Sequence, residues 1–138
     1  MPNYFETFRA VVAAEQCDHL GHWNVQHYVG AISEAAIVLS HRLGLSLEEC
    51  SRRGLGLAAV HMELDYLREL NEGDALRVET ALLAMGNKSL SVHHKMENLT
   101  QGYTAFTAKV TAVLLDLNAR RAAVIPPDIR STGEALIA

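Results

Sequence analysis

Cysteine is scarce: the chain has only Cys17 and Cys50. They form no Cys-x-x-Cys pair, and two cysteines cannot make a disulfide framework, so both are expected as reduced thiols. Aromatic residues are also few, at 6%, so any core must be mainly aliphatic. Positive charge is not in excess; the net charge of −4 argues against a nucleic-acid binder held by phosphate contacts. A local basic pocket for a small phosphorylated ligand stays open. No apolar run approaches the roughly 18 residues needed to span a bilayer. The start, Met1-Pro2-Asn3-Tyr4, lacks the basic and apolar regions of a signal peptide. The expectation is a soluble, cytoplasmic protein with no membrane and no nucleic-acid partner. Internal repeats, low-complexity tracts and linkers are absent too, and 138 residues make one domain, 1–138.

What is present alternates. Leu57–Tyr66 sets Val60, Met62, Leu64 and Tyr66 against His61, Glu63 and Asp65. Ala75–Ala84 groups Leu76, Val78, Thr80 and Leu82, and Ser89–Asn98 groups Leu90, Val92, His94 and Met96. Phe5–Ala13 is rich in β-branched and aromatic residues, and Tyr103–Leu117 shares Phe106, Val110 and Leu114 on one face. Period-two patterns of this length predict five strands with one buried face. Asn71-Glu72-Gly73-Asp74, Gly86-Asn87-Lys88 and Thr100-Gln101-Gly102 read as turns between antiparallel neighbours. One segment has helical spacing instead: Val25, Tyr28, Val29, Ile32, Ala36, Leu39 and Leu43. Asn24 can cap its start and Gly44 can end it. Being apolar and poor in charge, this helix is expected to be largely buried. The result is an α+β chain, one antiparallel sheet curved around one long helix, with exposed edges that favour a homodimer.

Reactive side chains crowd between the first strand and the helix, in Cys17-Asp18-His19-Leu20-Gly21-His22-Trp23-Asn24. Amides at the helix start, from about Val25, lack intrahelical acceptors and carry the positive end of the dipole. They suit the oxyanion of an acyl-transfer reaction. Asp18 upstream can serve as nucleophile or general base on water, with the turn at Gly21 bringing it back over the helix end. A thiolate leaves readily, so a thioester needs no Ser-His-Asp triad, and no Gly-x-Ser-x-Gly occurs. Blander roles stay open: Asp18 as a carboxylate on the helix dipole, His22 and His27 as structural histidines, Asn24 as a cap, Tyr28 as core. Cys17, Asp18, His19, His22 and His27 are of metal-binding type but match no zinc spacing, and His93-His94 on a strand point oppositely. No metal site is expected.

The stretch Asp18-His19-Leu20-Gly21-His22-Trp23-Asn24, with Tyr28 following, resembles the active-site segment of the 4-hydroxybenzoyl-CoA thioesterase family. That segment reads Asp, two residues, Gly, six residues, Tyr; Trp23 stands where many members carry Met. The resemblance implies a hotdog fold that hydrolyses acyl-CoA, or an acyl carrier protein thioester. It implies dimers joined edge to edge, often paired into tetramers, with the site at the helix start and the subunit interface. Asp18 would be the nucleophile or base, and the Val25 amide would polarise the carbonyl. His22 and Asn24 would orient Asp18 or touch the acyl group; Gly21, Trp23 and Tyr28 would shape the substrate site. Glu34, the one acid inside the helix, is the alternative carboxylate. Lys88, Arg120, Arg121 and Arg130 are candidates for the CoA phosphates. No cofactor is implied, since coenzyme A is part of the substrate. The alternatives are a hotdog module that binds acyl-CoA without turnover, or a hydratase or dehydratase.

Overall fold

The computed structural model describes residues 1–138. The elements run β1 (Phe5–Val11), a 3-10 turn (Ala14–Gln16), α1 (Val25–Arg42), α2 (Leu47–Arg53), β2 (Leu55–Tyr66), β3 (Ala75–Met85), β4 (Ser89–Asn98), β5 (Tyr103–Asp116), β6 (Arg121–Ala122) and α3 (Pro127–Ile137). The sheet order is β1-β3-β4-β5-β2, every pair antiparallel, with β6 a two-residue addition to β5. This is the hotdog arrangement, a curled sheet against one long helix.

β4 shows the expected period without a fault: Leu90, Val92, His94, Met96 and Asn98 are buried and the residues between them are not. Its face meets Phe106 and Leu114 of β5, Val78 and Leu82 of β3, and Ile32, Ala35 and Leu39 of α1 in one apolar cluster. Phe106 is fully buried, and removing such a ring costs about 3–5 kcal/mol.

Four expectations are corrected. The sheet has a sixth, short strand. Two further helices exist; Ser46 caps α2 by accepting from the Glu49 amide at 3.2 Å, and Gly54 ends it at φ +67. Arg53 ties α2 to α3 by donating to Asp128. The long helix is not largely buried in the single chain. Tyr28, Ala31, Ile32, Ala35 and Leu39 face the sheet, while Val25, Ile37 and Val38 are exposed, because one sheet can cover only one stripe of a helix. Finally, β2 does not bury one face. It is one of the sheet's two outer strands, and a bulge between Ala59 and His61 breaks its alternation; Val60, Met62 and Tyr66 are all exposed.

Candidate active site

The segment before α1 is a tight reversal. The Asp18 amide donates to the His22 carbonyl at 2.9 Å, and Gly21 donates back to the Asp18 carbonyl at 3.0 Å. Gly21 has φ +82, which side-chain-bearing residues seldom adopt. Cys17 and Trp23 bridge across the reversal, and His22 bridges to Asn71. The Trp23 amide donates to the Leu70 carbonyl at 2.7 Å, so the segment is clamped to the connection between β2 and β3.

That connection is itself held. Leu67 and Arg68 both donate their amides to the Ala105 carbonyl, at 2.9 and 3.1 Å. The Tyr103 hydroxyl donates to the Glu69 carbonyl at 2.6 Å. Asp74 accepts from the Asn71 amide and from the Asn98 carboxamide, both at 2.9 Å.

Between the two segments lies a cavity of about 350 Å³, bounded by Asp18, His22, Trp23, Val25, Tyr28 and Arg68, with Tyr66, Leu67 and Glu69 completing it. The structure therefore brings five of the expected residues to one place. Asp18 is half-buried, and its Oδ1 accepts from the Leu20 amide at 2.9 Å and the His22 amide at 3.4 Å. These bonds fix the carboxylate and leave Oδ2 without a protein partner. Asn24 accepts from the Gln26 amide through its side chain (3.1 Å) and from His27 through its carbonyl (3.0 Å). The Val25 amide is left with no acceptor at the positive end of an 18-residue helix.

Aromatic rings form the inner wall. Trp23 packs on Tyr28 (5.0 Å between centroids), and Tyr28 on Tyr66 and Phe106 (5.1 Å each). The Trp23 indole N–H donates to Gln16 at 3.1 Å. Burial pushes the Tyr28 hydroxyl up to about 12, so it stays protonated. His27 stacks on Trp23 and does not border the cavity.

Other expected residues lie elsewhere. Asn24 is the helix cap. Glu34 is exposed, on the third turn of α1, and borders no cavity. Lys88 lies in the turn before β4, Arg120 and Arg121 lie after β5, and Arg130 donates to the Gly86 carbonyl at 2.6 Å. Hairpins alternate ends, so these cations sit at the far end of the sheet, roughly 24 to 34 Å along β5 from Phe106. Tyr66, Leu67, Arg68 and Glu69 were missed; a basic residue two positions after a strand that ends in tyrosine was the available signal. The Arg68 guanidinium lies 3.8 Å over the Tyr103 ring.

Asp18, with its carboxylate, and Val25, with its unpaired helix-start amide, thus line one cavity of a hotdog sheet. Residues 12–132 match the model of the thioesterase-like superfamily, and the chain belongs to that superfamily. It is 26% identical over 136 residues to the betainyl-CoA thioesterase of Pseudomonas aeruginosa, covering 99% of this chain and 86% of that one. It is 30% identical over 112 residues to an L-carnitine dehydrogenase/betainyl-CoA thioesterase of Agrobacterium fabrum, covering 80% of this chain but 22% of that protein. A Staphylococcus aureus protein solved in complex with CoA superposes with a TM-score of 0.91 at 22% identity, covering 99% of this chain and 85% of that one. A 1,4-dihydroxy-2-naphthoyl-CoA thioesterase from Synechocystis superposes at 0.81 with 19% identity, covering 96% and 97%. Thioester hydrolysis is thus the class of reaction, as the motif resemblance implied.

Proposed function

We propose that the protein hydrolyses an acyl-CoA thioester, with Asp18 acting on the carbonyl carbon and the Val25 amide holding the carbonyl oxygen. The observation that carries this reading is the shared cavity, lined both by Asp18, whose carboxylate has one oxygen anchored and one free, and by Val25, whose amide the Asn24 cap leaves unpaired. The thioester oxygen accepts from the Val25 N–H. The free Oδ2 of Asp18 takes a proton from water as the water oxygen bonds to the carbonyl carbon. The C–S bond then breaks, and the proton passes to the departing CoA thiolate. Asp18 attacking directly would give an acyl anhydride that water cleaves, with the same products. His22 flanks Asp18, and Tyr28 and Trp23 form the aromatic wall against which the acyl group packs. The CoA-bearing neighbour and the two betainyl-CoA relatives support an acyl-CoA over a carrier-protein thioester.

The same reading includes a homodimer. β2 offers twelve residues with a free edge, exposed Val60 and Met62, and no proline or lysine to blunt it. Two-fold antiparallel pairing of β2 with its copy lays the Leu55 end of one chain by the Tyr66 end of the other. Arg120 of the partner subunit then approaches the cavity that Arg68 already borders, which is how the far-end cations reach the CoA phosphates. Pairing of dimers gives the tetramer.

Asp18→Asn tests the chemistry, since the amide keeps the shape and loses the basicity. Thiol release from acyl-CoA should fall by at least a factor of about 100 with melting unchanged. Wild-type kcat in that variant removes Asp18 from the reaction.

A further inference from the structure

A second, larger cavity of about 530 Å³ lies further along α1 and β2. Val25 and Tyr28 border the first cavity; Val29 and Ile32, a turn further on, border the second. On β2, Tyr66 borders the first and Met62 the second. The lining is aliphatic except at a few points. One of these is His94, only 1% exposed and projecting from the inner face of β4.

A row of hydroxyls leads to that ring. Thr7 Oγ1 lies 3.2 Å from the Val78 carbonyl and 2.8 Å from Thr80 Oγ1, and Thr80 Oγ1 lies 2.8 Å from His94 Nδ1. Burial, with His93 alongside, brings His94 down to about 4, so at neutral pH the ring has only one proton. With the Thr7 proton on the Val78 carbonyl, Thr80 donates to Thr7 and the ring proton sits on Nδ1, which leaves Nε2 an acceptor; the proposal below takes this assignment. Arg53 Nε and Arg77 Nε are the sealed side-chain atoms without partners. Nε2 makes no hydrogen bond and is not sealed, so it keeps accessible surface, and the space its ring borders is this cavity. A bare acceptor amid aliphatic side chains selects a donor.

We propose that His94 is a specificity residue whose Nε2 accepts a hydrogen bond from a hydroxyl on the acyl group, so that the site prefers hydroxylated acyl chains to their deoxy counterparts. The proposal rests on the acyl-CoA reading for where the chain starts. It fixes a depth as well. His94 pairs with Ala108 and Ala108 with Leu64, one row beyond Met96, Phe106 and Tyr66. The donor therefore belongs roughly 7 Å past the aromatic wall.

The test uses CoA thioethers, which cannot be hydrolysed, with chains of increasing length ending in a hydroxyl or in a methyl. Wild type should bind the hydroxyl form roughly tenfold tighter at one chain length. His94→Phe should lose that preference while still binding the methyl forms. Thr80→Val frees the ring proton to move, so it should shrink the preference; this second variant serves if His94→Phe fails to fold. Equal binding of hydroxyl and methyl forms at every length would overturn the proposal, as would no thioether binding because a second copy fills the cavity. Nitrogen-15 NMR placing the ring proton on Nε2 would overturn it as well. Because binding is read without turnover, failure of Asp18→Asn to lower kcat would sink the hydrolytic mechanism and leave this result standing.

Discussion

Val25→Pro isolates the oxyanion contact better than any side-chain change. Proline has no N–H, so the substitution deletes the donor assigned to the thioester oxygen and otherwise changes only one side chain at the cavity wall. The position tolerates it: Val25 is the first residue of α1, where proline is favoured and its φ is already helical. Asn24, just before it, sits at φ −65 and ψ 143, the extended conformation that a residue preceding proline prefers. No internal hydrogen bond is lost, because the Val25 amide has no acceptor, and the side chain removed is 57% exposed. Stability should change by no more than about 1 kcal/mol. Activity should not be spared. Removing one oxyanion donor lowers kcat by about 100- to 1,000-fold, or about 2.7–4 kcal/mol of transition-state stabilisation. Steady-state thiol release gives kcat, and thermal melting checks the fold. A folded variant with kcat within about threefold of wild type would show that the Val25 amide does not hold the developing charge.

Three further outcomes are expected. Gly21→Val meets no neighbouring atom, so its cost is the left-handed backbone alone, roughly 1–2 kcal/mol; because Gly21 shapes the turn that aims Asp18, kcat should fall further than stability, and full activity would refute this. His94 is neutral when folded down to about pH 4, whereas in the unfolded chain it takes up a proton below about 6.5, so the unfolded state binds more protons between those values and stability falls as pH drops through them. The loss at pH 5 is about 2 kcal/mol relative to pH 7; urea titrations of wild type and His94→Gln should show it shrinking in the variant, and an equal loss in both would assign it to other groups. Met62→Lys places a charge on the free β2 edge and should shift sedimentation from dimer to monomer while leaving the monomer folded; an unchanged sedimentation coefficient would exclude this edge as the interface.

Most of the fold was legible where a single period ran uninterrupted. β4 agreed to the residue because it is flanked on both sides and covered on one, so burial and alternation say the same thing. β2 misled because an outer strand with a bulge follows no single period. α2 was missed although Ser46, Glu49 and Gly54 spell its cap, its first turn and its stop; seven residues are too few for a hydrophobic period to declare itself. At the site, Asp18, Gly21 and Val25 were readable because they are close in sequence. Arg68 and Glu69 were not, because the clamp that brings them in depends on Leu67 and Arg68 bonding to Ala105 and on Tyr103 bonding to Glu69, pairings that no local pattern encodes. The row Thr7, Thr80 and His94 crosses three strands and was invisible for the same reason.

The expectation of a buried helix failed in an informative way. α1 carries two apolar stripes, and the sheet takes only one. The second, with Val29, Ala36 and Ile37, borders the larger cavity and meets water in the single chain. An aliphatic stripe left wet costs about 25 cal/mol for each Å² exposed, so a sequence that keeps one has a use for it. An acyl chain accounts for the part deep in the groove, where His94 gives a polar end point. A second copy paired along β2 accounts for the part at the rim, where Ile37 and Val38 face outward. Both occupants require the same stripe, and the β2 edge that would recruit the copy also ends in Tyr66 at the cavity that Asp18 borders. Acyl-chain length should therefore alter the monomer–dimer equilibrium, with chains long enough to reach the rim weakening association. A dimerisation constant indifferent to every acyl-CoA analogue would separate the two roles.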